Sequence, residues 1–201
     1  MAAPFWWHAA GWRDLRRQPG VSFTYGAVFA IIGLLLTLGL LQGGFHSLIL
    51  VLAGGFVLMG PMLAAGLYEK SRRLATGDPV SFESTLRFGF GAGQLPYMGL
   101  FLMLIYFAWV QISFLLFMLF FGAQPMPPFE MFLTDLVSTP RGLGFLVAGS
   151  IVGAVLAAAV FAVSAVGVPL LMVERIDVVT AALTSIKACR ENPGPMMLWR
   201  C

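Results

Sequence analysis

The stretch of sequence that decides the fold runs from Leu48 to Ser84 and reads LILVLAGGFVLMGPMLAAGLYEKSRRLATGDPVSFES. It joins an apolar segment long enough to cross a bilayer, a break at Pro61, a basic exit and a short polar segment. A looser copy follows about a hundred residues later, runs through Pro169 and leaves the apolar zone at Glu174. The pattern predicts an all-α protein, built as a polytopic bundle of transmembrane helices.

The composition is typical of an integral membrane protein rather than a soluble domain. Of 201 residues, 59% are hydrophobic and 10% are charged, and the mean hydropathy is +0.89. Soluble domains are about half apolar and about one quarter charged. The formal net charge is +3, but the basic residues are scattered at predicted helix ends rather than gathered on a folded polar surface. We therefore predict membrane lipids, including anionic phospholipid, as partners, and no nucleic acid.

The apolar segments predict a single transmembrane domain over 1–201. Asp78-Pro79 predicts the start of a surface helix, because proline is favoured in the first helical turn. Asp177 predicts the N-cap of the last surface helix. In chain order we predict an interfacial helix over 4–17, spans over 21–42, 48–68, 95–121 and 142–172, surface helices over 79–90, 128–137 and 177–192, and the start of a further span over 195–201.

The two copies of the deciding stretch align with a nearly constant offset. A shift of 99 residues pairs Asp78 with Asp177, and a shift of 108 residues pairs Pro61 with Pro169. Both copies run through the membrane in the same predicted direction. We therefore predict a parallel internal repeat.

The basic residues indicate how the spans are oriented. Of the 12 lysines and arginines, only Arg141 falls on one predicted side of the membrane. The positive-inside rule makes the opposite side cytoplasmic, and the N-terminus lies on it. The residues on the predicted cytoplasmic side are Arg13, Arg16, Arg17, Lys70, Arg72, Arg73, Arg87, Arg175, Lys187, Arg190 and Arg200.

Small residues recur at every fourth position in the fourth predicted span, a spacing that lets helices approach closely. The pattern leaves open whether the partner helix belongs to this chain or to another. The predicted packing residues are Gly149, Gly153 and Ala157, with Ser150, Ala154 and Ala158 beside them.

Three residues inside the predicted spans interrupt the apolar pattern. Pro61 and Pro169 each remove a backbone hydrogen bond, and we interpret both as structural kinks, with a gate as the alternative. Gln111 is the most polar residue inside the third span and must find a hydrogen-bond partner there. We interpret it as a contact between helices, with a substrate contact as the alternative.

The sequence offers little chemistry for catalysis or electron transfer. No ionisable residue lies deep in a predicted span, which argues against a proton- or ion-coupled transporter. His8 and His46 fall on opposite predicted sides, so they cannot ligate a haem or copper ion together. His46 alone could ligate a chlorophyll-type magnesium, although an exposed turn residue is the simpler interpretation. Cys189 and Cys201 lack disulfide or metal-binding spacing. We expect no enzyme activity, no metal site and no cofactor other than bound lipid.

Three stretches resemble one bacterial family: GWRDLRRQPG, GPMLAAGLYEKSRR with GDPVSF, and VPLLMVERIDVVTAALTSIKACRENPGPMMLW. They are similar to integral membrane proteins of unknown function, some of which are described as a cytochrome c oxidase subunit I. The resemblance implies a bacterial inner (cytoplasmic) membrane protein with six spans, of which this chain would carry four and the start of a fifth. It supplies no catalytic residue, and the oxidase description conflicts with the presence of only two histidines.

Two functions are compatible with these residues. The first is a non-catalytic accessory, scaffold or assembly subunit of a larger respiratory or photosynthetic membrane complex. The second is a carrier or facilitator for a neutral or lipidic small molecule, with Pro61, Pro169 and Gln111 around its cavity. Co-purification with a complex would favour the first function, and substrate-dependent stabilisation of the isolated chain would favour the second.

Overall fold

A computed structural model describes residues 3–45, 48–85, 93–122 and 129–194. The chain is helical with no strand across these ranges, which confirms the predicted all-α class. The helices are α1 (Ala3–Arg17), α2 (Pro19–Gln42), α3 (Leu48–Thr76), α4 (Leu95–Phe121), α5 (Phe129–Ser138), α6 (Pro140–Ser164), α7 (Gly167–Val173) and α8 (Val178–Glu191).

Four stretches within the described ranges are long and apolar enough to cross a membrane. They are α2, α3, α4 and the combined stretch Pro140–Val173, which holds α6 and α7. The predicted helical membrane bundle is therefore confirmed. The second spanning helix, α3, continues beyond Tyr68, where the sequence predicts its span to end, as far as Thr76. The further span predicted to start at 195–201 lies outside the described residues.

Glycine ends two of the spanning helices. Gly44 follows α2 with a φ of 75°, and Gly77 follows α3 with a φ of 77°, a left-handed conformation that glycine adopts at little steric cost. The amide after each glycine donates to the carbonyl five residues back, at 2.9 Å after α2 and at 3.0 Å after α3. These hydrogen bonds satisfy carbonyls that the helix end would leave without partners.

Asp78-Pro79 completes the end of α3 and does not start the next helix. The Asp78 carboxylate accepts a hydrogen bond from the hydroxyl of Thr76 at 2.6 Å, and its amide is the donor that closes the end of α3. Helical residues resume after Ser81, whose hydroxyl accepts from an amide three residues further on at 3.1 Å. The surface helix predicted over 79–90 is thus helical over 82–85 within the described residues.

The start of α8 does match the sequence prediction. The Asp177 carboxylate accepts hydrogen bonds from the amide and the hydroxyl of Thr180, at 2.9 and 2.6 Å, so Asp177 is confirmed as the N-cap. The aligned aspartates of the predicted repeat, Asp78 and Asp177, therefore have different roles. One closes a helix C-terminus and the other caps a helix N-terminus.

The fourth spanning stretch is broken shortly before Pro169. Helix α6 ends at Ser164, and α7 begins at Gly167. Pro169 has no N–H to donate to the carbonyl of Ala165, and its ring would clash with that carbonyl in a continuous helix. Pro169 lies in the first turn of α7, where a proline needs no N–H donor, whereas Pro61 lies inside the continuous helix α3. At the predicted kink the helix is interrupted over two residues, Ala165 and Val166.

The described residues pack as two compact units. The first holds 3–30, 61–85, 93–100 and 161–194, and the second holds 31–45, 48–60, 101–122 and 129–160. Side chains from four helices form the buried core of the first unit: Ala65, Leu95, Met98, Val168, Leu171 and Ala181. Rings whose centroids lie 5.1 to 6.4 Å apart form an aromatic cluster in the second: Phe117, Phe120, Phe121, Phe132 and Phe145.

Candidate functional site

Lys70 lies near the polar end of α3 and is only 2% exposed. Its ammonium donates to the carbonyls of Asp14 and Gln18, at 2.9 and 3.0 Å, and to the hydroxyl of Ser22 at 2.6 Å. These contacts use all three of its donors. Asp14 lies in the last turn of α1, where backbone acceptors lack helical partners and a cation is favoured, and Gln18 is the residue between α1 and α2. Lys70 of α3 therefore links the end of α1 to α3 by hydrogen bonds.

The neighbouring carboxylate of Glu69 is fully buried. Arg72 donates to its two oxygens at 2.7 and 2.8 Å, and Arg73 donates at 2.6 Å. A buried carboxylate is tolerated only when it is paired and hydrogen-bonded, and the two guanidinium groups meet that need. The ion pairs of Glu69 with Arg72 and Arg73 allow α3 to remain helical where the helix leaves the apolar zone.

Glu69 and Lys70 follow the second predicted span, which ends at residue 68, and the structure buries both. The sequence does contain a signal for the burial of Glu69, because Met62, Ala65 and Glu69 follow the i, i+3, i+7 spacing of one helix face. Charge obscured that periodicity, since charged residues after an apolar run normally mark the end of a span.

Trp109 of α4 lies against a glycine of α3 and bonds to its backbone. A Cβ atom at Gly54 would lie 2.8 Å from Cζ2 of the indole, so only glycine leaves room for the ring. The indole N–H donates to the carbonyl of Val51 at 2.8 Å. Tyr106 occupies the space that a Cβ at Gly55 would need. The Gly54-Gly55 pair is therefore a docking face for the aromatic side chains of α4.

Tyr25 repeats this arrangement in the first unit. A Cβ atom at Gly66 would lie 2.6 Å from the Tyr25 hydroxyl oxygen, and that hydroxyl donates to the carbonyl of Leu63 at 2.8 Å. In both cases the accepting carbonyl lies three residues before the glycine, on the same helix face. The sequence prediction emphasised small residues in the fourth span and missed these glycines in α3.

Helix α8 satisfies backbone groups that the break before Pro169 exposes. The Val166 amide donates to the hydroxyl of Ser185 at 3.1 Å, and the Cys189 thiol lies 3.9 Å from the carbonyl of Ala162. Ser185 is fully buried. Irregular backbone at the end of a span needs such partners because hydrocarbon offers none. Burial also raises the pKa of the Cys189 thiol, which favours its protonated, less reactive form.

The second unit contains an apolar cavity of about 250 Å³. It lies between α3, α4 and α6, and Phe132 of α5 also reaches it. Its polar side chains are few: Ser113 donates its hydroxyl to the carbonyl of Trp109 at 2.8 Å, the indole N–H is bonded to Val51, and Ser150 is exposed. No charged side chain among the described residues lines it. Pro61, Pro169 and Gln111, predicted around a carrier cavity, are not among these lining residues.

The predicted small-residue stripe of α6 has two faces in the structure. Gly149, Gly153 and Ala157 are half-buried, and a Cβ at Gly153 would meet the ring of Trp109 at 3.4 Å, an ordinary contact. Gly153 therefore contacts α4 of the same chain, while a Cβ at Gly149 would meet nothing within 4 Å. A second face is exposed and consists of Ser150, Ala154 and Ala158.

Gln111 lies on the exposed face of α4. It forms no side-chain hydrogen bond with any of the described residues. Residues four and seven positions away along the same face are apolar and exposed: Leu104, Phe107, Leu115 and Met118. The interpretation of Gln111 as a contact between helices stays a prediction, and any partner has to come from outside the described part of this chain.

Within the described ranges, no group of three or more histidine, cysteine, aspartate or glutamate side chains could hold a metal ion. His46 lies outside these ranges, and the side chain of His8 is also outside the description. The expectation that the chain carries no metal or redox cofactor stays a prediction.

A family model described as "Predicted integral membrane protein (DUF2189)" matches residues 48–173, more than half of the chain. The chain belongs to this family. The DUF2189 match covers α3 to α7, and so includes Gly54, Trp109, Gln111 and the residues that line the cavity. It confirms a membrane protein of unknown function, while the six-span fold and the oxidase description stay predictions. No curated protein and no solved structure matches the chain.

Proposed function

We propose that this DUF2189 chain is a non-catalytic accessory subunit of a larger membrane assembly, and that the Gln111 face of α4 contacts another polypeptide. The observation that carries the proposal is the exposed amide of Gln111 among exposed apolar side chains. The proposal requires no catalytic residue, metal or cofactor of the chain itself.

The depth of Gln111 makes its exposure costly. At about 1.5 Å of rise per residue, it lies about 24 Å from the Leu95 end of α4 and about 15 Å from the Phe121 end. Both distances place it well inside a hydrocarbon core about 30 Å thick. An amide without a hydrogen-bond partner there costs several kcal/mol, because lipid chains neither donate nor accept.

The surroundings of Gln111 favour a protein helix as the partner. Leu104, Phe107, Leu115 and Met118 provide an apolar strip on both sides of the amide, and a facing helix can pack along it. An amide hydrogen bond between spanning helices contributes only about 1 kcal/mol, so its main effect is to fix which helix pairs and in which register. This is the behaviour expected of a subunit that recognises a partner.

The proposed setting is the bacterial inner membrane, with the N-terminus cytoplasmic. It is supported by the charge distribution: the basic residues of the first unit include Arg13, Lys70, Arg175 and Lys187, whereas the described basic residue of the second unit is Arg141. Anionic phospholipid headgroups are the expected neighbours of the first unit.

Site-specific photo-crosslinking in cells tests the contact. A photoreactive amino acid replaces Gln111 in one variant and Leu35, an exposed residue of α2, in the control. We expect a crosslinked polypeptide of discrete mass from position 111 and lipid adducts from position 35. Lipid adducts from both positions would overturn the proposed contact.

A carrier for an apolar small molecule is the second candidate, and the cavity of the second unit is the observation that favours it. A carried molecule would stabilise the isolated protein and exchange readily. A rise in Tm with an added apolar ligand, together with a lack of any crosslinked partner, would favour this function over the first.

A further inference from the structure

The geometry of the cavity points to a lipid ligand: we propose that it holds the acyl chain of a bilayer phospholipid. The cavity lies entirely within the second unit, and its volume is about 250 Å³. The inference rests on the membrane fold and is independent of the proposed partner at Gln111.

The walls of the cavity run along two spanning helices. Along α4 the lining extends from Trp109 to Phe117, and along α6 from Phe145 to Gly153. At about 1.5 Å per residue, each of these stretches is about 12 Å long. Walls of this length can contact a segment of an extended alkyl chain, whose carbons meet their neighbours at about 4 Å.

The lining matches a hydrocarbon, and its exposed hydroxyl, that of Ser150, lies at the opening. The Trp109 indole N–H and the Ser113 hydroxyl already donate to backbone carbonyls. Cavities with apolar walls stay dry, so water does not fill this one. An empty cavity would leave its wall atoms without dispersion contacts, which an acyl chain supplies.

The cavity has an opening for a chain that comes from the bilayer. Leu50 and Phe114 line it and are each 46% exposed, and Ser150 beside them is also exposed. These residues belong to spanning helices, so an acyl chain of the bilayer can reach their exposed surfaces. A phospholipid can therefore insert one tail between them while its headgroup stays outside.

Gly149 controls the space available to the chain. A Cβ at this position would meet nothing within 4 Å, although the residue lines the cavity. A larger side chain can therefore grow into the cavity without displacing a neighbour. Gly149→Leu fills the site, and Ala158→Leu places the same side chain on the exposed face of α6 as a control.

The test uses the purified full chain in vesicles of phosphatidylethanolamine and phosphatidylglycerol. A trace phospholipid carries a diazirine along one acyl chain, and mass spectrometry locates the crosslinks. We expect label on Trp109, Phe117 or Phe145 in the wild type and in Ala158→Leu. We expect at least about a tenfold lower yield at these residues in Gly149→Leu, the change that 1.4 kcal/mol of lost affinity produces.

Two results would overturn the assignment. One is equal labelling of the cavity residues in the wild type and Gly149→Leu. The other is loss of label on adding a free isoprenoid alcohol while unlabelled phospholipid has no effect, which would indicate a different ligand. If Gly149→Leu does not fold, Gly149→Val gives the same comparison with a smaller side chain. Failure to crosslink a protein at position 111 would leave these outcomes unchanged.

Discussion

Single side chains join the helices of each unit by donating to backbone carbonyls of another helix. Lys70 does this at the end of α1, and Trp109 does it at Val51 of α3. Such contacts are effective near or inside a membrane, because the carbonyl already has a helical partner and can accept a second hydrogen bond or is free at a helix end. The contact of a bulky ring also depends on a small facing residue, as that of Trp109 depends on Gly54.

Replacing Lys70 by methionine should release α1 from α3. The change keeps the length of the side chain but leaves the carbonyls of Asp14 and Gln18 without their donor. Hydrogen bonds to a charged group contribute about 1.5 to 3 kcal/mol, so we expect a loss of about 2 kcal/mol and a Tm lower by about 4 to 8 °C. Lys187→Met is the matched control, since Lys187 is 75% exposed and its contact with Glu191 is long at 3.9 Å. Equal melting of the two variants in detergent would refute the role of Lys70.

Substitutions of Gly54 and Trp109 should have coupled effects on stability. Gly54→Val places side-chain atoms where the indole lies, and overpacking of this kind costs about 1 to 3 kcal/mol. Trp109→Ala alone also destabilises the fold, but the double variant should recover part of the loss because the clash is gone. Gly39→Val is the control, because a Cβ there meets nothing within 4 Å. Additive Tm changes in the double variant would show that the ring and the glycine do not depend on each other.

Helix α8 packs against the break between α6 and α7 and forms hydrogen bonds with its backbone. Ser185 accepts from the amide of Val166, and Asp177 fixes the start of α8 so that Ser185 faces the break. The sequence predicts α8 and its cap correctly, because an aspartate before an amphipathic segment is a strong local signal. It does not predict the contact with the break, which depends on packing between segments that are distant in sequence.

Ser185→Val should remove the hydrogen bond to the break between α6 and α7 while changing the size of the side chain little. The Val166 amide then lacks its acceptor, and an unsatisfied buried donor costs about 1 to 3 kcal/mol. We expect faster hydrogen exchange over 161–173. Thr184→Val is the neighbouring control, since the Thr184 hydroxyl is exposed and bonds only within its own helix. Unchanged exchange in Ser185→Val would mean that α8 does not protect the break.

The start of α8 should loosen in acid. Hydrogen bonds from the Thr180 hydroxyl and amide lower the pKa of the Asp177 carboxyl below its ordinary value. A lowered pKa in the folded state means that the stabilisation is complete above the unfolded pKa, near 3.9, and is lost as the pH falls through the folded value. The protection of the first-turn amides of α8, measured as the ratio of the intrinsic to the observed exchange rate, should therefore fall in that acid range and remain high at neutral pH. In Asp177→Asn the loss of protection should be weaker, and an identical pH profile would assign the transition to another group.

Across the whole molecule, length and apolar composition are enough to predict the spanning helices, because a bilayer sets both. The same uniformity hides which side of each span faces inward: in α4 almost every residue is apolar, so no period distinguishes the face of Trp109 from that of Gln111. The cavity was also beyond prediction, since it depends on which side chains of three helices meet. Pro169 predicted an interruption of the helix at its own position. The missing N–H instead affects the carbonyl of Ala165, four residues earlier, and the helix is interrupted there.

A membrane partner bound at the Gln111 face of this DUF2189 chain should be seen in the mass of the extracted protein. Native mass measurement, after gentle extraction from its own membrane, compares the wild type with Gln111→Leu. We expect the wild type to carry a partner polypeptide in addition to its own 21.7 kDa. We expect Gln111→Leu to carry several-fold less of that partner, because an amide hydrogen bond between helices contributes about 1 kcal/mol, while its own Tm stays equal or rises. A wild type that is free of any partner polypeptide, or a Gln111→Leu protein that carries as much of it as the wild type, would contradict the proposed contact.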